Sequence, residues 1–498
     1  MNVKKRCIVL IACCMIVSAL ALPVQASTST SKNYVYNEYG EAVAAPSAYT
    51  CSRVLRGRDL GIGDFSNIVD LYVNGNVYIS DAGNNRVVVL DERYAFVEQI
   101  DYVVDNGQKV SLSTPSSVFV ADGLLYICDT GNARVIAVDE QKQIVKTFLK
   151  PESDLLTEDF AFKPSKVVVN SAGSVFVSAS GVYQGLLHYE GDGSFIEFFG
   201  ANKVEVTADV VIKSLWMNLF SDEQRESLVR TVPTEYAGIF IDSEDMIYTT
   251  TSTATTGQVK RLNAAGDNIL MYPGSTSGVL QKGYDRNNFG DQILENSKGG
   301  IKYSKIMDVH VDEDGVIAAL DAQKGRVLLF DNEQNTLGVF GGTGTQDGYF
   351  TSVSTISKNE SEYLVADGTR NSVTIFEPTQ YMNDIRCALR AYENGAYDQS
   401  RQYWEKVLEK NAGLSVAAKG IGRALLSEGN CEEALHYLKM GDDRYYYSMA
   451  LTQYRRDFLR ENSVWLIPCV VVVVAAVCWG LKRLYYAIKE SGGRKDKQ

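Results

Sequence analysis

The sequence predicts an all-β six-bladed β-propeller, a smaller all-α domain after it and a single transmembrane helix. Three observations lead there. A unit of just under fifty residues recurs six times between residues 60 and 380. From residue 384 the apolar pattern changes from the strand period to the helical one. Val464 to Leu481 then gives 18 residues without a charge.

The chain begins as exported proteins do. Lys4, Lys5 and Arg6 precede an apolar run from Cys7 to Leu22, and Val24-Gln25-Ala26 places small residues at −3 and −1 of a cut before Ser27. Residues 1–26 are therefore expected to be a signal peptide, cleaved or retained as an anchor. Leu10-Ile11-Ala12-Cys13 is a weaker, lipoprotein-type alternative. Residues 27–50 read as an N-terminal linker.

The propeller is expected over 51–380. Its repeat is plainest in VYISDAGNNRVVVLD (77–91) and LYICDTGNARVIAVD (125–139), and weaker copies follow at 175–189, 247–262, 317–331 and 363–377. Each joins two apolar strands through a polar turn. The turn-entry residues are Asp81, Asp129, Ala179, Thr251, Asp321 and Asp367, spaced by 48, 50, 72, 70 and 46 residues. Two spacings exceed the base period, which places insertions at 201–234 and 273–303. Each unit has a strand before this pair: VDLYV (69–73), SSVFV (116–120), SKVVV (165–169), AGIFI (237–241), MDVHV (307–311) and STISK (354–358). The first five also have a strand after it. The sixth does not, and SRVLRG (52–57) is expected to close the ring as its missing outer strand. Closure brings Cys51 near Cys387, a candidate disulfide pair.

The turns Asp81-Ala-Gly-Asn84-Asn-Arg86 and Asp129-Thr-Gly-Asn132-Ala-Arg134 resemble the signature of NHL-repeat propellers, with partial copies at Asp321 and Asp367. That resemblance implies a fold shared by interaction platforms, amidating lyases and, more distantly, gluconolactonase-like and strictosidine-synthase-like enzymes. It also implies a bacterial, Gram-positive envelope setting. Physically, Gly is expected to supply a positive φ, Asp and Asn to bond the turn, and Arg to pair with Asp.

The helical domain is expected over 384–462. Gly395-Ala-Tyr397 and Gly429-Asn-Cys431 start equivalent helices 34 residues apart, with small Ser400 and Ala434 where helices would meet. This spacing resembles two tetratricopeptide (TPR) units with a capping helix near 443–462. They would serve as a rigid spacer under the propeller or as a small peptide groove. The transmembrane helix follows at 464–481, ~27 Å long. It is flanked by Trp465, Trp479, Tyr485 and Tyr486, and Pro468 is read as lying in its first turn. Residues 482–498 form a basic tail, so the expected placement is a single-pass cell-membrane protein with an outward ectodomain and a cytoplasmic C-terminus.

Composition narrows the chemistry. Net charge is −12; with +3 on 1–26 and +4 on 482–498, the intervening chain carries −19. So acidic a body excludes nucleic acid as a partner. Three His and no CxxC leave no zinc motif. In lactonase-like propellers a divalent cation is held at the inner strand ends. The comparable positions, Asn67, Ser116, Ser165, Tyr236 and Ser304, form no carboxylate set. No catalytic residue, metal or cofactor is therefore assigned. Val311-Asp312-Glu-Asp314-Gly315 reads as a tight hairpin.

Strand alternation puts the two insertions on the same rim as the DxGNxR turns and the exit toward the helices on the opposite face. The candidate ligand rim comprises Tyr183, Trp216, Tyr284, Arg286 and Phe289. The expected function is a membrane-anchored extracellular propeller that binds a cell-surface protein or carbohydrate. The alternatives are a divergent metal-dependent lactonase or hydrolase, and a scaffold holding a neighbouring membrane protein, such as a transporter, through 384–462.

Overall fold

The computed structural model describes residues 33–36, 41–156, 159–200, 235–254, 257–270, 289–290, 292–294 and 301–492. The signal segment, the first insertion and most of the second lie outside these residues.

Six antiparallel sheets stand around one axis. Blade one is Ile68–Asn74, Asn76–Asp81, Arg86–Leu90 and Phe96–Ile100; blade two is Pro115–Ala121, Leu124–Asp129, Arg134–Val138 and Ile144–Phe148. Blade three is Pro164–Val169, Val175–Ala179, Leu186–Tyr189 and Phe195–Phe199. Blade four has three strands among the described residues, Gly238–Ile241, Ile247–Thr250 and Val259–Leu262, and a lone bridge from Leu262 to Asn268. Blade five is Ile306–Val311, Ile317–Asp321, Arg326–Phe330 and Thr336–Gly341. Blade six is Val353–Asn359, Glu362–Asp367, Ser372–Pro378 and, from the other end of the chain, Tyr49–Arg56. The seam pairs Ser372 with Arg56 and continues to Pro378 opposite Tyr49. Neighbouring inner strands touch all the way round, so the ring is closed.

The blades are welded by apolar layers, because strands buried on both faces read as continuous Val, Ile and Leu runs. Val87, Val103, Ile127 and Ile136 fill the layer between blades one and two. The layer between blades five and six runs on into the helices: Phe340, Tyr363 and Phe376 share one cluster with Ile385, Trp404 and Ile421.

Residues 27–50, read as a linker, hold more structure than that. Tyr34–Tyr36 and Ala42–Ala44 form a hairpin, and Val35 and Ala48 pack on the outer strand of blade five. A second unforeseen hairpin, Tyr102–Asp105 with Gln108–Ser111, lies between blades one and two.

Six helices follow: α1 (Gln380–Glu393), α2 (Tyr397–Lys410), α3 (Ser415–Glu428), α4 (Cys431–Met440), α5 (Arg444–Glu461) and α6 (Ser463–Gly492). Thr379 caps α1 by accepting the Met382 N–H. Close approach of α1 and α2 is allowed by Ser400, fully buried, whose hydroxyl donates to Ala388 O. A side chain at Gly420 would strike the Trp404 ring, which fixes α3 against α2.

Ser463–Tyr486 is long and apolar enough to cross a membrane and has no buried face. Because α6 begins at Ser463, Pro468 falls in its second turn rather than its first. Cys51 and Cys387 are free thiols, so the candidate pair is unbridged in this structure.

Candidate functional site

The inner strands bring one residue each to the axis: Asp70, Ser117, Lys166, Gly238, Asp308 and Thr355. In all but blade four a β-bulge precedes that position and turns it inward. Lys166 Nζ donates to Asp70 Oδ1 at 2.5 Å and to Asp308 Oδ2 at 3.2 Å. Thr355 Oγ1 donates to Asp308 Oδ2 at 2.7 Å and sits 3.2 Å from Asp70 Oδ1. Charges stand on blades one, three and five, and small residues between them. Gly238 is required by space: a Cβ there would come within 2.6 Å of Asp308 Oδ1.

Three of these side chains also stitch their blade to the next, at the junctions of blades one with two, two with three and five with six. Asp70 accepts the Val118 N–H at 3.1 Å, Ser117 the Val167 N–H at 3.4 Å and Asp308 the Ile356 N–H at 3.2 Å. Burial works against the Lys166 ammonium, but Asp308 and Asp70 outweigh it and hold the group above the ordinary lysine range. Burial raises the Asp308 carboxyl, and the like charge of Asp70 adds to the rise, which Lys166 only partly offsets. An ammonium wedged between two carboxylates already meets the charge demand that a hard cation would meet. Among the described residues no group of three or more His, Cys, Asp or Glu is placed to hold a metal.

The positions comparable to the lactonase cation ligands are tied up in local bonds. Ser116 Oγ donates to Pro164 O, Tyr236 OH to Gly200 O, and Ser304 Oγ to Asp321. These bonds close junctions between neighbouring segments. Asn67 takes a positive φ of 54° in the approach to blade one. The channel column was nevertheless readable, because it is the second residue of every inner-strand pentamer.

The DxGNxR turns are clamps. Asp81 Oδ1 accepts the Ser66 N–H at 2.7 Å, and Oδ2 accepts Asn84 Nδ2 and Arg86 Nε, both at 2.8 Å. Asn84 also donates to Asp64 O, and Arg86 to Ile62 O and Gln99. Asp129, Asn132 and Arg134 repeat this around Ser113. Asp321 takes Arg326 and Ser304, and Asp367 takes the Thr351 and Ser352 N–H groups. The clamp thus fastens the segment entering a blade to that blade's central turn.

The glycine serves a different purpose from the one expected. The positive φ falls on Asn85 (53°) and Ala133 (54°). Gly83 and Gly131 are needed for clearance, since a Cβ would lie 2.4 Å from Ser66 Oγ and 2.2 Å from Ser113 Oγ.

Of the rim residues, Tyr183 is 39% exposed in the blade-three turn, beside Leu155, whose carbonyl accepts from Gln184 Nε2. Phe289 is a core residue, 1% exposed, edge-on to Phe330 at 4.9 Å, with its N–H donating to Gln258. It cannot meet a ligand. Trp216, Tyr284 and Arg286 lie outside the described residues.

No family model matches this chain, and no curated protein is detectably similar to it. Among solved structures it is similar to selenomethionine-substituted virginiamycin B lyase from Staphylococcus aureus, with 8% identity and a TM-score of 0.39 over 66% of this chain and all of that one. A streptogramin B lyase structure shows 10% identity and a TM-score of 0.37 over 70% of this chain and 97% of that one. The extracellular domain of BT4673 from B. thetaiotaomicron shows 12% identity and a TM-score of 0.33 over 63% of this chain and 33% of that one. At these values none of the three bears on activity.

Proposed function

We propose that this chain is a membrane-anchored binding module of NHL type, whose propeller takes a protein or carbohydrate at the cell surface. One observation carries the reading: the axis is taken up by side chains of the ring itself, and the face toward the helices is taken up in part. The axis is filled by Lys166 between Asp70 and Asp308, and the face with the inner hairpin turns is covered at blade five by the TPR-like helices. The opposite rim, with the DxGNxR turns and Tyr183, is the face we assign to the ligand, and the two insertions are expected from strand order to join it. The basic tail 482–498 supports a cytoplasmic C-terminus.

Capture of surface proteins and glycans on the ectodomain (33–462) tests this. Joint replacement of Tyr183, Trp216, Tyr284 and Arg286 by Ala is expected to abolish capture without unfolding the ring. Capture unchanged by that variant removes the rim from consideration.

The scaffold reading also has an observation behind it. Helix α5 buries only Ala450 and leaves Tyr445, Met449, Phe458 and Leu459 exposed just before the membrane helix. Photo-crosslinkers on these positions would recover a membrane neighbour. The lactonase reading would need the axial ammonium displaced from its two carboxylates.

A further inference from the structure

Among the described residues the helices carry charged contacts to the propeller at two points, and both are turns of blade five. The first is the 312–316 turn between its inner and second strands. Arg386 Nη1 donates to Asp314 Oδ2 at 2.9 Å, and Nη2 pairs with Asp312 Oδ2 at 2.5 Å and donates to Tyr49 OH at 2.9 Å. Arg390 closes a bidentate pair on Asp314 at 2.9 and 3.0 Å. Lys358, at the end of the blade-six inner strand, adds a 3.0 Å bond to Asp312. Asp312, Asp314 and Arg386 are all buried.

The second point is the 331–335 turn between the third and outer strands. Arg423 of α3 grips Glu333 bidentately at 2.7 and 2.9 Å and reaches Asp443 at 2.8 Å, while Lys419 donates to Asn335 at 2.8 Å. The Glu333 side chain keeps 48% of its exposure.

We propose that the helical array is the clasp of the propeller ring. Its basic inner face takes the acidic turns of blade five in cis, and through Arg386 and Tyr49 that docking fixes the closing strand. The chain leaves the ring by the strand that forms the seam. Pro378 still pairs with Tyr49, and Thr379 donates its N–H to Ala48 O at 3.0 Å and its hydroxyl to Ser47 O at 2.8 Å. Motion of α1 would therefore reach the seam directly. Arg386, two turns along α1, fastens that helix to blade five and the closing strand with one guanidinium. Arg423 touches neither end of the seam.

The two contacts therefore predict different consequences. Amide exchange on the full chain in detergent micelles reads them. Arg386→Gln is expected to speed exchange in 49–56 and 380–393 together, by roughly a hundredfold, with blades one to three unchanged. Arg423→Gln is expected to loosen 415–461 and leave 49–56 at its original rate. If Arg386→Gln fails to fold, Asp314→Asn removes one acceptor while Asp312 remains, and is expected to speed the same two segments by a smaller, shared factor. Acceleration of 380–393 with 49–56 unaffected overturns the proposal. So does a seam that loosens equally with Arg423→Gln, or one that responds to none of these changes.

Discussion

Blades five and six and blades three and four are built to one plan and finished differently. The residue after the first pairing position of the outer strand is Val97 in blade one, Val145 in blade two, Ile196 in blade three and Leu337 in blade five. The first three are 52%, 52% and 43% exposed, whereas Leu337 is fully buried among Val35 and Ala48. Blades five and six also carry the motif Asp, the helical array and the seam. Blades three and four have Ala179 and Thr251 in place of that Asp, three strands among the described residues in blade four, and an insertion after each. The same ring is thus reinforced where the helices attach and relaxed in the two blades that the long insertions follow in sequence. Elements that adapt to ligands are drawn from the low-stability end of a fold.

The largest expected effect lies at the axis, where the two halves meet. Lys166→Met strands Asp70 and Asp308 in the interior and is expected to destabilise the propeller by about 3–5 kcal/mol in chemical denaturation. Adding Asp70→Asn and Asp308→Asn should restore much of that loss. Failure of the triple variant to recover would mean that the ammonium's packing, rather than its charge, is what matters.

The clamp comes next. Asp81→Ala leaves Arg86 buried without its carboxylate and is expected to cost about 2–4 kcal/mol, whereas Thr251→Ala at the equivalent blade-four position should cost under about 1 kcal/mol. Equal costs would erase the contrast between the halves. Gly83→Ala should cost about 1–3 kcal/mol through overpacking against Ser66.

Acid response should localise to the reinforced half. Burial and Lys358 push the His310 pKa down to about 3, from an ordinary value near 6.5. The fold therefore keeps this ring neutral, and its contribution is full above pH ~6.5 and lost as pH falls toward 3. Burial pushes Asp331 up to about 6, so its contribution has the opposite sign, growing as pH falls from about 6 toward 4. His310→Phe should lessen acid unfolding of blades five and six by roughly 1–3 kcal/mol between pH 6.5 and 4, and Asp331→Asn should steepen it. Thermal melts across that range check both. The smallest effect is expected from Tyr183→Ala, within about 0.5 kcal/mol of the parent in stability.

Much of the ring was legible because its causes are local. Alternating apolar residues, an Asp-Gly-Asn-Arg turn and a constant period are all properties of short segments. The axial column was legible as a position, the second residue of each aligned inner strand, but its chemistry was not: Asp, Ser, Lys, Gly, Asp and Thr share that place and no pattern of hydropathy. Phe289 was misplaced because an aromatic in an insertion looks the same whether it faces ligand or core; only Phe330, forty-one residues on, decides between them. The contacts of Arg386 with Asp312 and of Arg423 with Glu333 span 74 and 90 residues, beyond any spacing rule.

The seam has a consequence in time. Ser52 bonds Ile375, 323 residues later, so the first strand of the ring to leave the ribosome waits for nearly the last. At ~5–20 residues per second that wait is on the order of tens of seconds. Throughout it, an unpaired edge near the N-terminus must avoid foreign partners, and the hydroxyl- and arginine-rich run Ser52-Arg53 beside Arg56 is suited to a strand that must stay soluble while alone.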